Sequence, residues 1–240
     1  MIKADLHIHT VLSPCGDIEM TPAFIIKRAK ESGLGIIGIT DHNSTKNCLE
    51  TKRIGEREDV FVMCGAEITT KEEVHVLAFV EDEAKLSILQ SYLSEHLPKI
   101  PNNVDFFGYH LIVNEQEEVL GEEQFLLINA INQTIEQIEK FVHSLGGIFI
   151  PAHIDKRQNS LISQLGFLPP GLDVDALELS KNTNFNDFIS NNSYLKKQNF
   201  IRSSDAHYQE EFGNVCFELN IDTPSFITIK NALNTGQLAL

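Results

Sequence analysis

The chain has 240 residues, 42% of them apolar, enough to build one large α/β domain or two small ones. Its 19 basic and 34 acidic residues leave a net charge of −15 with no basic run, which argues against a duplex nucleic acid gripped through its phosphates. No apolar run reaches the ~18 residues of a membrane span and the N-terminus lacks a basic-then-apolar leader, so a cytoplasmic protein with no membrane partner is expected.

The pattern alternates strand and helix from the start. Residues 2–10 read as a strand ending in Asp5-Leu6-His7-Ile8-His9-Thr10. A helix follows at 22–32, with Thr21 as N-cap, Pro22 in the first turn and Gly33 at its end. Residues 36–40 form a short buried strand that ends in Thr40-Asp41-His42, and Ser44 is placed to cap the next helix. Residues 60–69 and 74–80 are strand runs split by the polar turn Thr70-Lys71-Glu72-Glu73.

Helical patterns cover 84–97 and 134–145, the second stopped by Gly146-Gly147. Strands are expected at 148–152, 176–179, 200–204 and 215–220, and a last helix at 225–234. This alternation predicts a mainly parallel sheet, with about seven strands closing into a barrel. Residues 98–133, rich in Pro, Asn and acid, fit the alternation poorly and read as an insertion within one catalytic domain spanning 1–240. The widely spaced Cys15, Cys48, Cys64 and Cys216 read as reduced thiols, with Cys64 and Cys216 in the core and Cys15 in a tight loop near the first cluster.

Four His/Asp clusters sit at the ends of apolar strands, and in barrels the chemistry gathers at that rim. His7 and His9 are two apart on a strand and share a face, and Asp205 and His207 repeat that spacing. Glu67 is the acid that follows the strand run 60–66. His75 lies within the otherwise apolar run Val74-His75-Val76-Leu77-Ala78-Phe79, and His153 closes a strand after Pro151-Ala152. Because neighbouring strand residues face opposite ways, His42 is taken as a ligand and Asp41 as its support. Asp17 lies in the loop just after the first cluster, within reach of the same rim. Imidazole and carboxylate together suit Zn, Mn or Fe. Lys156 and Arg157, three and four residues past His153, are candidates to hold phosphate, and His110 in the insertion is a candidate substrate contact. Arg202 reads equally as a site cation or a structural one. His96 and His143 lie late in helices, where a cation suits the dipole.

Taken together, His7-x-His9, Thr40-Asp41-His42, Gly65-Ala66-Glu67, His75, His153 and Asp205-x-His207 resemble the PHP (polymerase and histidinol phosphatase) superfamily. The resemblance implies an α/β fold, a distorted (β/α)7 barrel carrying an inserted segment, with two or three divalent metal ions (Zn, Mn or Fe). It places one metal on His7, His9, Glu67 and Asp205. A second shares Glu67 and adds His75 and His153, and a third takes Asp17, His42 and His207. It implies a phosphoesterase in which Glu67, Asp205 and His207 serve a metal-bridged hydroxide acting on a small phosphomonoester, such as a nucleotide. The alternatives are an exonuclease on short oligonucleotides and a catalytically inactive metal-binding regulatory module. A C–N hydrolase would more typically show a metal-bridging lysine, and no Lys ends an apolar strand here.

Overall fold

A computed structural model describes all of residues 1–240. Its elements run β1 (Ile2–Ile8), α1 (Pro22–Glu31), β2 (Ile36–Ile39), α2 (Cys48–Arg57), β3 (Phe61–Thr69), β4 (His75–Val80) and α3 (Glu83–His96). They continue with α4 (Val104–Phe107), β5 (Leu111–Val113), β6 (Val119–Glu122), α5 (Ile135–Ser144), β7 (Ile148–Pro151), α6 (Leu161–Leu165), β8 (Leu177–Leu179), α7 (Phe185–Asn191), β9 (Phe200–Arg202), β10 (Phe217–Leu219), α8 (Phe226–Thr235) and β11 (Leu238–Ala239). Thr21 caps α1 by accepting a hydrogen bond from Phe24 N at 3.2 Å, as its sequence indicates. The cap of α2 is Asn47, not Ser44, whose hydroxyl instead faces Gln90.

The main sheet runs β11-β10-β1-β2-β3-β4-β7 and curls into a half-barrel. It is mixed: β1–β2 and β2–β3 pair parallel, but β3–β4, β4–β7 and β1–β10 pair antiparallel. The expected parallel majority fails because the short 70–73 turn makes β3 and β4 a hairpin, and a parallel pair needs a long crossover. The parallel pair β8–β9 spans the open side. Backbone bonds tie it in, from Asp175 N to Phe149 O (3.0 Å) on one flank and from His9 N to Ala206 O (3.0 Å) on the other.

Two apolar layers flank the sheet. The inner one joins Leu6, Met63, Leu77, Phe79 and Ile150 to Ile229 and Leu233 of α8, which closes the N-terminal end of the half-barrel. The outer one packs α1, α2, α3 and α5 against residues such as Ile37, Ala66 and Val76. Leu6 belongs to the inner layer and Ile8 to the outer one, although both would share a face of a regular strand. The switch falls where the β1–β2 register shifts between Asp5 and Ile8. Such a bulge re-aims side chains, and here it turns His7 and His9 inward above the inner core. Gly38 lets β2 approach that irregularity, since a Cβ there would sit 2.6 Å from Leu6 O.

Residues 98–133 hold α4 and the β5–β6 hairpin. Asn47 pins this segment to the body, donating to Leu111 O (3.1 Å) and accepting from Val113 N (3.1 Å). No helix is long and apolar enough to cross a membrane.

Candidate metal centre

One rim of the sheet is formed by the C-terminal ends of β1, β2, β3 and β7 and the N-terminal end of the antiparallel β4. Five predicted imidazole ligands converge there on the buried carboxylate of Glu67 near the end of β3, with Asp205 and His207 beside them. Glu67 Oε1 lies 2.8 Å from His75 Nδ1 and 3.1 Å from His153 Nε2. Its Oε2 lies 3.2 Å from His42 Nδ1, 3.3 Å from His9 Nε2 and 3.4 Å from His7 Nε2. Asp205 Oδ1 caps the group from beyond β9, 3.3 Å from His7 Nε2, 3.5 Å from His9 Nε2 and 3.6 Å from His207 Nδ1. His153 and Asp205 reach inward because each turns the chain just past its strand with a positive φ, +29° and +52°.

Three sets of ligand atoms gather closely enough to hold an ion: His7, His9 and Glu67; His42, Glu67 and His75; and His9, His42 and His207, each set within 4.8 Å. The residues fit divalent metals on their own chemistry. The Nε2 atoms of His7 and His9 face each other at 3.1 Å, and the buried His42 Nδ1 has no hydrogen-bond partner. Such crowded nitrogens beside a shared carboxylate form an N/O donor set suited to Zn, Mn or Fe.

The electrostatics of the metal-free chain agree. Burial would raise the Glu67 carboxyl, but the imidazoles of His75, His7 and His42 hold it well below its usual range. Burial, reinforced by His9, pushes His207 down to about 4, and burial likewise holds His42 well below the usual imidazole range. Both are therefore neutral near pH 7, the form that binds metal. Against burial, Glu178, Asp205 and Glu67 raise His7 well above its usual value, the mark of carboxylates crowded around one cation-favouring position.

Asp17 is not drawn into any of the three sets. Its carboxylate accepts the Glu19 amide at 2.9 Å, while its backbone N donates to His207 O at 2.8 Å. His9 stands with His42 and His207 where Asp17 was expected. Asp41 faces away from the cluster and supports His9 more than His42. It accepts from Ser13 Oγ (2.8 Å), which lies 2.9 Å from His9 Nδ1, and from the amide and hydroxyl of Thr10 (2.7 and 2.8 Å).

Lys156 reaches the centre and pairs with Asp205. Two cavities open at the centre, the smaller one, of about 220 Å³, over Glu67 between His42, His75 and Gln158; Arg157 is exposed and lines neither. His110 is buried with both ring nitrogens unpartnered, and burial pushes it down to about 4; it too lines neither cavity. Arg202 donates to Thr183 O, a structural contact. The larger cavity, of about 450 Å³, opens beside the centre between Lys156, Lys181, Tyr208, Ser204 and Glu178.

Glu178 was not singled out from sequence. It lies in the middle of the short apolar strand β8, and its Oε2 is 2.9 Å from both His7 Nδ1 and His153 N. The available signal was an acid flanked by Leu177 and Leu179 in a buried strand, where a charge needs a partner.

The curled sheet and its rim of imidazoles and carboxylates define a barrel-type metal-binding protein. Residues 5–157 match the PHP domain, and the chain belongs to that family. It is 25% identical over 264 residues to the uncharacterized protein YqxK of Bacillus subtilis, covering 97% of this chain and 62% of that one. Among solved structures, endonuclease Q in complex with a 27-mer duplex carrying an abasic lesion superposes with a TM-score of 0.70 at 20% identity, covering 98% of this chain and 56% of that one. A structure from Bifidobacterium adolescentis described as a metal-dependent phosphoesterase gives a TM-score of 0.58 at 19% identity, covering 96% and 95%. The chain thus spans about three fifths of the length of YqxK and of endonuclease Q.

The expected partner, a small phosphorylated substrate to the exclusion of duplex nucleic acid, is corrected by these findings. A protein of this fold sits on a duplex, and net acidity does not forbid it. Net charge sums the whole surface, whereas a phosphate responds to the local field of nearby cations.

Proposed function

We propose that this chain is a metal-dependent phosphoester hydrolase that cleaves phosphodiester bonds of nucleic acid. The observation that carries the reading is the convergence of five imidazoles on one buried carboxylate, beside an open cavity edged by lysines. Family membership supports hydrolysis, and the likeness to endonuclease Q favours nucleic acid as the substrate class. The proposed ligands are His7, His9, His42, Glu67, His75, His153, Asp205 and His207, with Asp17 reaching them only if its loop turns. Residues 1–240 are proposed to form one catalytic unit with 98–133 inserted.

Divalent ions held there supply Lewis acidity that activates water and offsets the charge building on phosphate oxygens. Glu67 would hold ions together with the imidazoles around it, His75 and His153 beside Oε1 and His42, His9 and His7 beside Oε2. Asp205 joins the Lys156 ammonium to this edge, so Lys156 meets a phosphate oxygen on the cavity side of the centre. Ser13 and Asp41 hold His9 in place.

The test is a substrate panel for the Mn-, Fe- or Zn-loaded chain: duplex and single-stranded DNA with and without an abasic site, short oligonucleotides, and nucleoside and sugar monophosphates. Strand scission at internal or terminal linkages supports the proposal. Phosphate release from monophosphates alone overturns the substrate class and returns the reading to the small phosphomonoester. Stoichiometric metal binding with no turnover marks a regulatory module.

A further inference from the structure

Glu178 joins two residues that stand on opposite oxygens of Glu67, His7 at Oε2 and His153 at Oε1. The side chain is buried, and Oε2 accepts two hydrogen bonds: one from His7 Nδ1 and one from the backbone N–H of His153, each 2.9 Å long. The first fixes a ring. With its Nδ1 donating to a carboxylate, His7 keeps Nε2 free to face Glu67, Asp205 and His9. The second fixes a backbone. His153 holds φ at +29°, a conformation a non-glycine residue keeps only when its surroundings enforce it. Glu178 enforces it by accepting the His153 amide, and the Ile154 amide donates to Glu178 O at 2.9 Å just beyond.

We infer that Glu178 is a positioning residue that sets the two halves of the metal centre in register, through the His7 tautomer on one side and the His153 turn on the other. The inference rests on the metal-centre reading above. It assigns β8, which brings no ligand, a role at the centre. It also explains a buried carboxylate in a three-residue apolar strand. Its second oxygen, Oε1, has no partner in the protein, so the pairing to His7 and His153 is the contact this carboxylate makes inside the fold.

The test titrates the chelator-stripped full chain with Zn²⁺ or Co²⁺ by calorimetry. The wild type is compared with Glu178→Leu, which keeps bulk but removes the acceptor, and Glu178→Gln, whose carbonyl oxygen still takes both bonds. Glu178→Leu is expected to lower metal affinity about 10- to 100-fold, and Glu178→Gln to stay within about threefold of wild type. Should Glu178→Leu not fold, ¹⁵N spectra of the zinc-loaded wild type decide: the inference requires His7 protonated at Nδ1. Glu178→Leu binding as wild type, Glu178→Gln falling as far as Glu178→Leu, or His7 protonated at Nε2 overturns the inference while leaving the metal centre intact. A wild type that binds no metal overturns both.

Discussion

The imidazole of His207 stacks on that of His9, with ring centroids 4.0 Å apart and planes inclined by 21°. The two residues come from opposite ends of the chain and meet where the segment after β9 crosses the end of β1, bonded there through His9 N and Ala206 O. Closure of the half-barrel and assembly of the His9–His42–His207 set are therefore one event. His207→Ala should remove one ion from the metal stoichiometry and lower turnover on the order of a hundredfold, with the fold retained. Metal analysis beside steady-state kinetics checks this, and unchanged stoichiometry would count against a third set.

Asp41 works through Ser13 and Thr10 and touches no ligand ring directly. Asp41→Ala leaves the Thr10 amide, the Thr10 hydroxyl and Ser13 Oγ without their acceptor in a buried site. The expected loss is on the order of 3 kcal/mol of stability, together with weaker metal binding as His9 loosens. Urea unfolding of the metal-free variant separates the two effects.

Lys156 and Arg157 are neighbours in sequence but not in role. Lys156 lines both cavities at the centre, and Arg157 lines neither. Lys156→Ala should raise KM about tenfold, equivalent to roughly 1.4 kcal/mol of phosphate binding. Arg157→Ala should stay within about twofold. Kinetics on the substrate identified by the panel check both values.

Away from the centre, His143 of α5 lies 3.1 Å from Asp175 Oδ2 and 2.8 Å from Glu139 Oε1. The bond to Asp175 raises the His143 pKa above its usual 6.5. Against burial, His143 holds Asp175 below its usual 3.8. A raised histidine stabilises fully below its unfolded value and loses that contribution as pH climbs through the folded one. A depressed aspartate contributes above its unfolded value and loses it as pH falls. The pair thus helps most between about pH 4 and 6.5. The gap in Tm between wild type and His143→Gln should be widest in that window and shrink above it. A gap independent of pH contradicts the assignment.

Much of the candidate centre was legible because its residues follow or end apolar runs: His7 and His9, His42, Glu67, and Asp205 with His207. The last two lie past β9, with Asp205 at φ +52°, and owe their place to that turn and not to a strand face. Other features depended on tertiary geometry. The bulge between Asp5 and Ile8 leaves no mark in a regular alternation, yet it decides which face the histidines take. Asp17 sits in a loop whose turn chemistry claims its carboxylate for the Glu19 amide. Glu178 carries no spacing signal, because its partners lie in β1 and just after β7. The parallel majority failed at β3–β4, where a four-residue polar turn favours a hairpin whatever the wider alternation suggests. The short helices α6 and α7, of five and seven residues, fall below the length at which periodicity identifies a helix.

The most direct measurement is hydrolysis by the chelator-stripped chain before and after adding back Mn, Fe or Zn, run beside Glu67→Gln with metal content measured in both. Activity restored by metal in the wild type and absent from Glu67→Gln, which should hold fewer ions, is the predicted result. Hydrolysis that survives stripping, or a Glu67→Gln chain that turns over at the wild-type rate, would contradict a metal centre organised on Glu67.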